Sequence, residues 1–193
     1  METKGHDGGE WLVISVIGKD RPGIVASVSR LLFQSGCNIE GLSQTALLGQ
    51  FAMVAIASVS ASNLMEELRE NCKRFSGESG LDVVIRKILP SDMVPYRQGE
   101  MEACVITVRG EDRPGLAYGI SEVLAEAGVN ITNLDARVAE IGGKTEYIQV
   151  YEVDIPKEAD NRKLQRKLRE RGEAMEVSVD LQHRGIFRAI NQI

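Results

Sequence analysis

The sequence predicts an α+β protein made of two βαββαβ units in tandem, each a four-stranded antiparallel sheet with two helices on one face. Three observations lead to this prediction. The chain has 193 residues, which is enough for one ordinary domain or two compact ones. A stretch of the first half recurs in the second half, and apolar residues in both halves follow the same order of strand and helix periods.

The internal repeat has a fixed offset of 92 residues. The segment Gly18–Ile24 (GKDRPGI) recurs as Gly110–Leu116 (GEDRPGL). At the same offset, Gly36–Ile39 (GCNI) recurs as Gly128–Ile131 (GVNI), and the strand that precedes the first motif also matches. Because no gap is needed between the copies, we interpret the repeat as duplication of one module of about 80 residues.

The elements of the first copy follow from its apolar pattern. Trp11–Ile17 is an almost continuous apolar run, which is typical of a central strand. An amphipathic stripe that begins at Ile24 predicts the first helix, and Gly36 is suited to end it. The remaining predicted elements are strand Asn38–Leu48, a turn at Gly49–Gln50, strand Phe51–Val59, a helix capped by Ser62 or Asn63, and a strand that alternates from Leu81 to Arg86.

The second copy repeats this order. Right-handed crossovers place both helices of each unit on one face of its sheet, which is the ferredoxin-like arrangement. The two most apolar strands of each copy, the first and the third, are expected in the middle of the sheet. The predicted elements are strand Cys104–Val108, a helix from Leu116 to Ala127, strand Ile131–Ile141, a turn at Gly142–Gly143, strand Glu146–Ile155, a helix around Leu164 and Leu168, and strand Met175–Gln182.

Changes in composition suggest the boundaries. The segment between the copies, 89–99, contains two prolines and a glycine and favours an extended connector. We expect a disordered N-terminus at 1–10, a first domain at 11–89, a linker at 90–100, a second domain at 101–182 and a tail at 183–193. The tail carries an apolar stripe that begins at Ile186, which predicts a short helix docked on its own sheet or on another subunit.

Composition excludes several classes of protein. The net charge is −5, and 43% hydrophobic with 26% charged residues is ordinary for a folded soluble chain. No apolar run approaches the roughly 18–20 residues that span a bilayer, and the first ten residues lack the core of a signal peptide. We therefore expect a cytoplasmic protein that does not bind membranes.

Few residues are available for catalysis or metal binding. The three cysteines, Cys37, Cys72 and Cys104, form no C-x-x-C pair and are expected to be reduced and buried. With only two histidines, we predict no metal, no cofactor and no catalytic residue. The acidic charge and 5% aromatic content also disfavour nucleic-acid binding, so the basic segment Arg162–Arg171 is interpreted as a solvated helix face.

The D-R-P-G turn carries the strongest local chemistry, and it occurs twice. In the first copy, Asp20 can cap the following helix, Pro22 fits its first turn, and Gly23 lets a ligand or a neighbouring backbone approach closely. Free N–H groups at the helix start favour a carboxylate, and the nearby Asp can receive an ammonium group. Together these groups would bind an amino acid. The alternative is that the turn is only architectural.

A βαββαβ unit with D-R-P-G after its first strand and G-x-N-I before its second resembles the ACT domain, a small-molecule-sensing regulatory module. Two such units in under 200 residues are similar to the stand-alone tandem ACT proteins of the glycine-cleavage-system repressor group. The resemblance implies that an effector, often an amino acid, binds at an interface between ACT units. Carried over by motif, the candidate ligand-binding residues are Gly18, Asp20, Arg21, Pro22, Gly23, Asn38 and Ile39, with Gly110, Asp112, Arg113, Pro114, Gly115, Asn130 and Ile131 in the second copy.

These expectations combine into one functional prediction. The resemblance implies an amino-acid-binding regulator of amino-acid metabolism that changes its own association, as a homodimer, or its association with a partner protein. Glycine and serine are the first candidate ligands. The alternative is a ligand-free protein–protein interaction scaffold. An enzyme is not expected, because no nucleophile–base pair is duplicated along with the turn.

Overall fold

A computed structural model of the chain describes residues 9–60, 64–93, 99–141 and 143–185. The chain divides into two compact units, Met1–Pro95 and Tyr96–Ile193. Each unit contains one antiparallel sheet and two α-helices in the order βαββαβ. The predicted fold class is therefore confirmed.

The first unit has its first and third strands in the middle of the sheet, as predicted. The strand order is β2-β3-β1-β4, and every neighbouring pair is antiparallel. Its elements are β1 (Glu10–Lys19), α1 (Ile24–Gln34), β2 (Cys37–Leu47), β3 (Gln50–Val59), α2 (Leu64–Ser79) and β4 (Asp82–Ile88).

The second unit has the corresponding order β6-β7-β5-β8. Its elements are β5 (Met101–Gly110), α3 (Leu116–Glu126), β6 (Asn130–Ile141), β7 (Lys144–Pro156), α4 (Asn161–Ala174) and β8 (Val177–His183). Right-handed crossovers account for the same arrangement in both copies.

The core of each unit lies between its sheet and its helices. In the first unit, Leu12, Ile14 and Val16 alternate along β1 and are buried against Val28 and Leu32 of α1. Alternation places the intervening residues on the other side of the sheet. We call that side, away from the two helices, the open face.

The hairpin between β2 and β3 turns one residue earlier than predicted. The turn residues are Leu48 and Gly49, with φ of 49° and 77°, rather than Gly49 and Gln50. Two consecutive left-handed residues are characteristic of the two-residue turn that matches the right-handed twist of paired strands. Gln50 instead begins β3.

The connector is not wholly extended, because Pro90–Met93 form a short 3₁₀ helix. The Asp92 side chain accepts a hydrogen bond from the Leu89 N–H at 3.1 Å, and the Asp92 N–H donates to the Leu89 carbonyl at 2.9 Å. This local pairing accounts for the helical turn. The predicted caps Ser62 and Asn63, the turn residue Gly142, and tail residues 186–193 lie outside the described residues.

The last strand begins later than its apolar pattern suggests. Met175 is the C-cap of α4 rather than a strand residue, and Glu176 adopts a left-handed φ of 55° before β8 starts at Val177. Val179 and Leu181 pack against the core as expected. Among the helices of the described ranges, none is long and apolar enough to cross a membrane.

Candidate ligand-binding site

The D-R-P-G turn joins β1 to α1 in a way that the sequence did not predict. The N-cap of α1 is Gly23, in a left-handed conformation with φ 90°, and no side chain bonds to the helix start. The predicted cap by Asp20 is therefore wrong, and Pro22 precedes the N-cap instead of lying in the first helical turn. The helix starts after Gly23 because the proline and glycine form the turn themselves.

The second unit repeats this geometry. Gly115 is the N-cap of α3 with φ 92°, again without a side-chain cap, so the predictions for Asp112 and Pro114 are wrong in the same way. The first N–H groups of an α-helix have no partner within the helix. Without a capping side chain, these groups are available to an anion at both turns.

The glycines of the motif have two different roles. A β-carbon at Gly23 or Gly115 would meet no atom within 4 Å, so the space beside both N-caps is open. A β-carbon at Gly18 would lie 2.5 Å from Leu81 Cδ2, and one at Gly110 would lie 2.6 Å from Val177 Cγ1. The open glycines suit ligand approach, whereas the packed glycines are required by the start of the neighbouring strand.

The arginines of both motifs bond within their own unit. Arg21 Nη2 donates to the Ser79 carbonyl at 3.1 Å. Arg113 donates to the carboxylates of Glu111, at 3.1 Å, and of Glu176. These two carboxylates raise the pKa of Arg113, with Glu111 as the larger cause. Arg21 therefore fastens its turn to the last residue of α2, and Arg113 fastens its turn to the residue before β8.

The two turns differ in charge. In the first unit the turn carries Lys19, Asp20 and Arg21, with two cations and one anion. In the second unit Arg113 is accompanied by Glu111, Asp112 and Glu176, so anions outnumber the cation. The first turn is the more favourable of the two for a ligand carboxylate.

The candidate residues of the second strand lie at the opposite end of the sheet from the turn. Asn38 pairs with Ser58, which pairs with Trp11 at the start of β1, whereas Gly18 pairs with Phe51 near the end of β1. Seven residues of strand separate these rows, which corresponds to roughly 23 Å. One unit therefore does not bring its two candidate segments together.

The environment of these strand residues is also defined. Asn38 Nδ2 donates to Glu40 Oε1 at 2.8 Å, and Ser58 Oγ donates to the same oxygen at 2.7 Å. Ile39 packs against the first core and Ile131 against the second. Asn130 pairs with Asp154, so it occupies the corresponding start of β6. Asn38 is exposed and Asn130 is half-buried, whereas the isoleucines serve packing.

The cysteines and acidic side chains of the described residues are not arranged as a metal site. Cys37, Cys72 and Cys104 are free and buried, and burial raises the pKa of all three thiols. Over the described ranges, no group of three or more His, Cys, Asp or Glu side chains is placed to hold a metal ion. A groove of about 260 Å³ between α1 and α2 is lined by Arg30, Asn71 and other helix residues, none from the turn.

Two cations of the basic helix pair with acids of the neighbouring helix. Lys167 pairs with Glu126 at 2.9 Å, and Arg171 pairs with Glu122 at 2.9 Å. Both acids lie on α3, so these cations fasten the two helices of the second unit together. This pairing supports the interpretation of α4 as a solvated helix face.

Comparison with known proteins identifies the family. Two family models, both described as ACT domain, match residues 10–86 and 105–170. The chain belongs to the ACT-domain family. It is a tandem ACT protein, and the ACT domain indicates an amino-acid-binding regulatory role.

Curated relatives match one ACT unit. A UPF0237 protein of Methanopyrus kandleri is 43% identical over 75 residues, which is 38% of this chain and 83% of that protein. A UPF0237 protein of Clostridium perfringens is 37% identical over 75 residues, or 38% of this chain and 84% of that protein. Each match therefore has about the length of one ACT unit of this chain.

Solved structures match both ACT units. An unknown protein from Galdieria sulphuraria has a TM-score of 0.72 and 25% identity, covering 91% of this chain and 98% of that one. A structure named for a glycine cleavage system transcriptional repressor has a TM-score of 0.68 and 20% identity, covering 90% and 96%. The second likeness shows the shared fold alone.

Proposed function

We propose that this tandem ACT protein is an amino-acid-responsive regulator of amino-acid metabolism. One small amino acid binds between the D-R-P-G turn of one ACT unit and the start of the second strand of another ACT unit. The observation that carries this proposal is the uncapped helix start beside open space at Gly23. The bound amino acid changes how the protein associates with itself or with a partner protein.

Two units are needed because of where the candidate residues lie. The turn and Asn38 are at opposite ends of one sheet, roughly 23 Å apart, which is far beyond the length of an amino acid. If the edge strands of two units run antiparallel, the start of β2 in one unit lies beside the end of β2 in the other. That arrangement brings Asn38 of one unit to the same end of the joined sheet as the turn of the other unit.

The edge strands are suited to such pairing. β2 and β6 each lie at a sheet edge, and they have 11 and 12 residues. Leu42 and its counterpart Leu134 are each 41% exposed. A long edge strand with exposed apolar side chains is a pairing surface. The same exposed leucine in both copies makes β2 and β6 alike in their suitability for edge pairing.

The chemistry selects a zwitterion. The carboxylate of the ligand accepts hydrogen bonds from the first N–H groups of α1, and the ammonium group lies beside Asp20. Lys19 and Arg21 add positive charge at this turn, so the first unit is the stronger site. Because the space beside Gly23 is open, small amino acids fit there, and glycine and serine are the first candidates. A ligand that contacts two units stabilises their association by linkage.

The test is calorimetric titration of the full chain with a panel of amino acids, glycine and serine first. Asp20→Asn, which keeps the size of the side chain but removes its charge, should weaken binding at least about tenfold. Asp112→Asn is the matched control and should have a smaller effect. Binding should also change the mass measured by sedimentation.

The alternative function is a scaffold of ACT units that binds no ligand. Exposed apolar side chains such as Phe33, at 79%, and Leu48, at 96%, favour an interaction surface of some kind. If no amino acid binds in any titration and the protein forms a stable complex that is insensitive to metabolites, the scaffold function is supported. The amino-acid-responsive function is then rejected.

A further inference from the structure

We propose that the open face of the first unit docks onto the same face of a second copy of this chain. The open face is the side of the β2-β3-β1-β4 sheet away from α1 and α2. This interface is separate from the edge strands and from the amino-acid site. It involves no ligand.

The open face of the first unit exposes several apolar side chains. Ile17, Val54 and Val84 are 55%, 49% and 63% exposed. Val54 and Val84 both pair with Ser15, from the two sides of β1. Val54, Ser15 and Val84 therefore form one row across the sheet. Ile17 lies on the same face two residues along β1. An exposed apolar patch of this kind marks an interaction site.

The face matches itself about one two-fold axis. If the axis runs across the strands along the row of Ser15, each strand lies against its own copy in the antiparallel sense. Residues at equal distances on either side of the row then face each other. In this arrangement Ile56 faces Ala52, Thr45 faces Gly41, and Ile17 faces Val13. Larger side chains lie opposite smaller ones in each of these pairs.

The charges on the face are arranged in the same self-complementary way. Asp82 and Arg86 lie on β4 on either side of Val84, and both are exposed. Four residues of strand separate them by roughly 13 Å, too far for an ion pair within one copy. Neither forms an ion pair with another of the described residues. The same axis places Asp82 of one copy opposite Arg86 of the other, and it does so twice.

The second unit shows why the partner is this particular face. Asp180 occupies the place of Val84, and Asp135 lies in the same row through Val150 and Thr107. The same two-fold axis would put each of these aspartates against its own copy. Like charges in direct opposition are destabilising. Two copies of the second unit's open face therefore repel each other, whereas two copies of the first unit's open face attract each other.

The area available predicts a weak, reversible dimer. Trp11 and Ile88, at one end of the face, are already buried, with 8% exposure each. The remaining four-stranded surface offers roughly 500 Å² on each copy. A pair would bury roughly 1,000 Å², which is the lower limit of specific interfaces. Association should therefore depend on concentration in the micromolar range.

Charge exchange tests the interface. The experiment is sedimentation of the full chain without amino acid, from roughly 1 to 100 μM. Asp82→Arg and Arg86→Asp, made singly, should each weaken association at least about tenfold because like charges then meet. The double variant Asp82→Arg/Arg86→Asp should associate as wild type does. It has the same composition and net charge as wild type, so it is the matched control.

A second variant transfers the repulsive residue between the units. Val84→Asp reproduces the residue of the second unit and should abolish association through this face. Circular dichroism and Trp11 fluorescence verify that each variant is folded. The proposal is overturned if wild type shows no concentration-dependent association, if the single reversals leave association unchanged, or if the double exchange does not restore it. Because no amino acid is present, these results do not depend on the ligand site.

Discussion

Gly110, at the end of β5, lies directly against Val177, at the start of β8. A β-carbon at Gly110 would come within 2.6 Å of Val177 Cγ1 and 3.2 Å of its Cα. In the first unit, Gly18 has the same relationship to Leu81, with 2.5 Å to Cδ2 and 3.3 Å to the Gly80 carbonyl. The glycine that opens each repeated motif is therefore needed for the last strand to approach the first.

This contact predicts that Gly110→Ala destabilises the second unit more than Gly18→Ala destabilises the first. Val177 is β-branched and has little rotamer freedom, whereas the end of Leu81 can move. We expect losses of about 2 and about 1 kcal/mol in the free energy of unfolding. Urea denaturation followed by circular dichroism measures both.

Gly77→Ala is the control for these substitutions. Gly77 lies within α2, and a β-carbon there would meet nothing within 4 Å. Alanine is the better helix former, so this variant should be more stable than wild type by about 1 kcal/mol. A loss at Gly77 equal to that at Gly110 would contradict the packing explanation.

Glu176 provides the second prediction. It has φ 55° at the position after the C-cap of α4, where the first unit has Gly80 with φ 70°. A left-handed conformation costs a residue with a β-carbon about 1 kcal/mol relative to glycine. Glu176→Gly should therefore be more stable than Glu176→Ala by about this amount, although both variants lose the contact with Arg113.

The reverse change in the first unit checks this reasoning. Gly80→Ala meets no atom within 4 Å, so only the backbone conformation is affected. It should lower the free energy of unfolding by about 1 kcal/mol. Trp11 is the only tryptophan of the chain and lies in the first unit, so its fluorescence reports this unit. Equal stability of the glycine and alanine variants at 176 would argue against backbone strain.

The third prediction concerns a polar contact in the second core. Tyr151 is fully buried, and its hydroxyl donates to Gln149 Oε1 at 2.8 Å. Tyr151→Phe removes the hydroxyl donor and leaves the buried Gln149 Oε1 without this hydrogen bond. Such a loss should cost about 1–3 kcal/mol of the free energy of unfolding, measured by urea denaturation.

The repeat supplies the matched rescue for this variant. Gln149 pairs with Val108, and Met53 pairs with the equivalent Val16 in the first unit. Tyr151→Phe/Gln149→Met therefore gives the second core the residue that the first already has at this place. The double variant should recover most of the lost stability because the buried amide that loses its donor is removed as well. Additive losses from the two substitutions would contradict this account.

Much of the fold could be predicted from the sequence because the repeat and the apolar periods agree in both halves. The start of α1 could not, since Asp20 is a common type of cap, whereas the chain uses Gly23 in a left-handed conformation. The contact between Arg113 and Glu176 spans 63 residues and leaves no local signal. For the candidate site, motif matching found the turn and Asn38. Their separation became visible only from the strand register, because it depends on which strands pair.

The last prediction is a loss of stability at alkaline pH. Burial raises the pKa of Cys72 from 9.0 to about 11, and burial, with a smaller effect of Glu102, raises that of Cys104 to about 11. The folded state therefore holds these protons between pH 9 and pH 11, while the unfolded state releases them. The free energy of unfolding must fall as pH rises through this window. Urea denaturation at pH 8, 9.5 and 10.5 measures the decline, and Cys72→Val/Cys104→Val, which keeps apolar groups of similar size, should show a shallower one. Parallel declines in wild type and variant would mean that the thiols do not cause it.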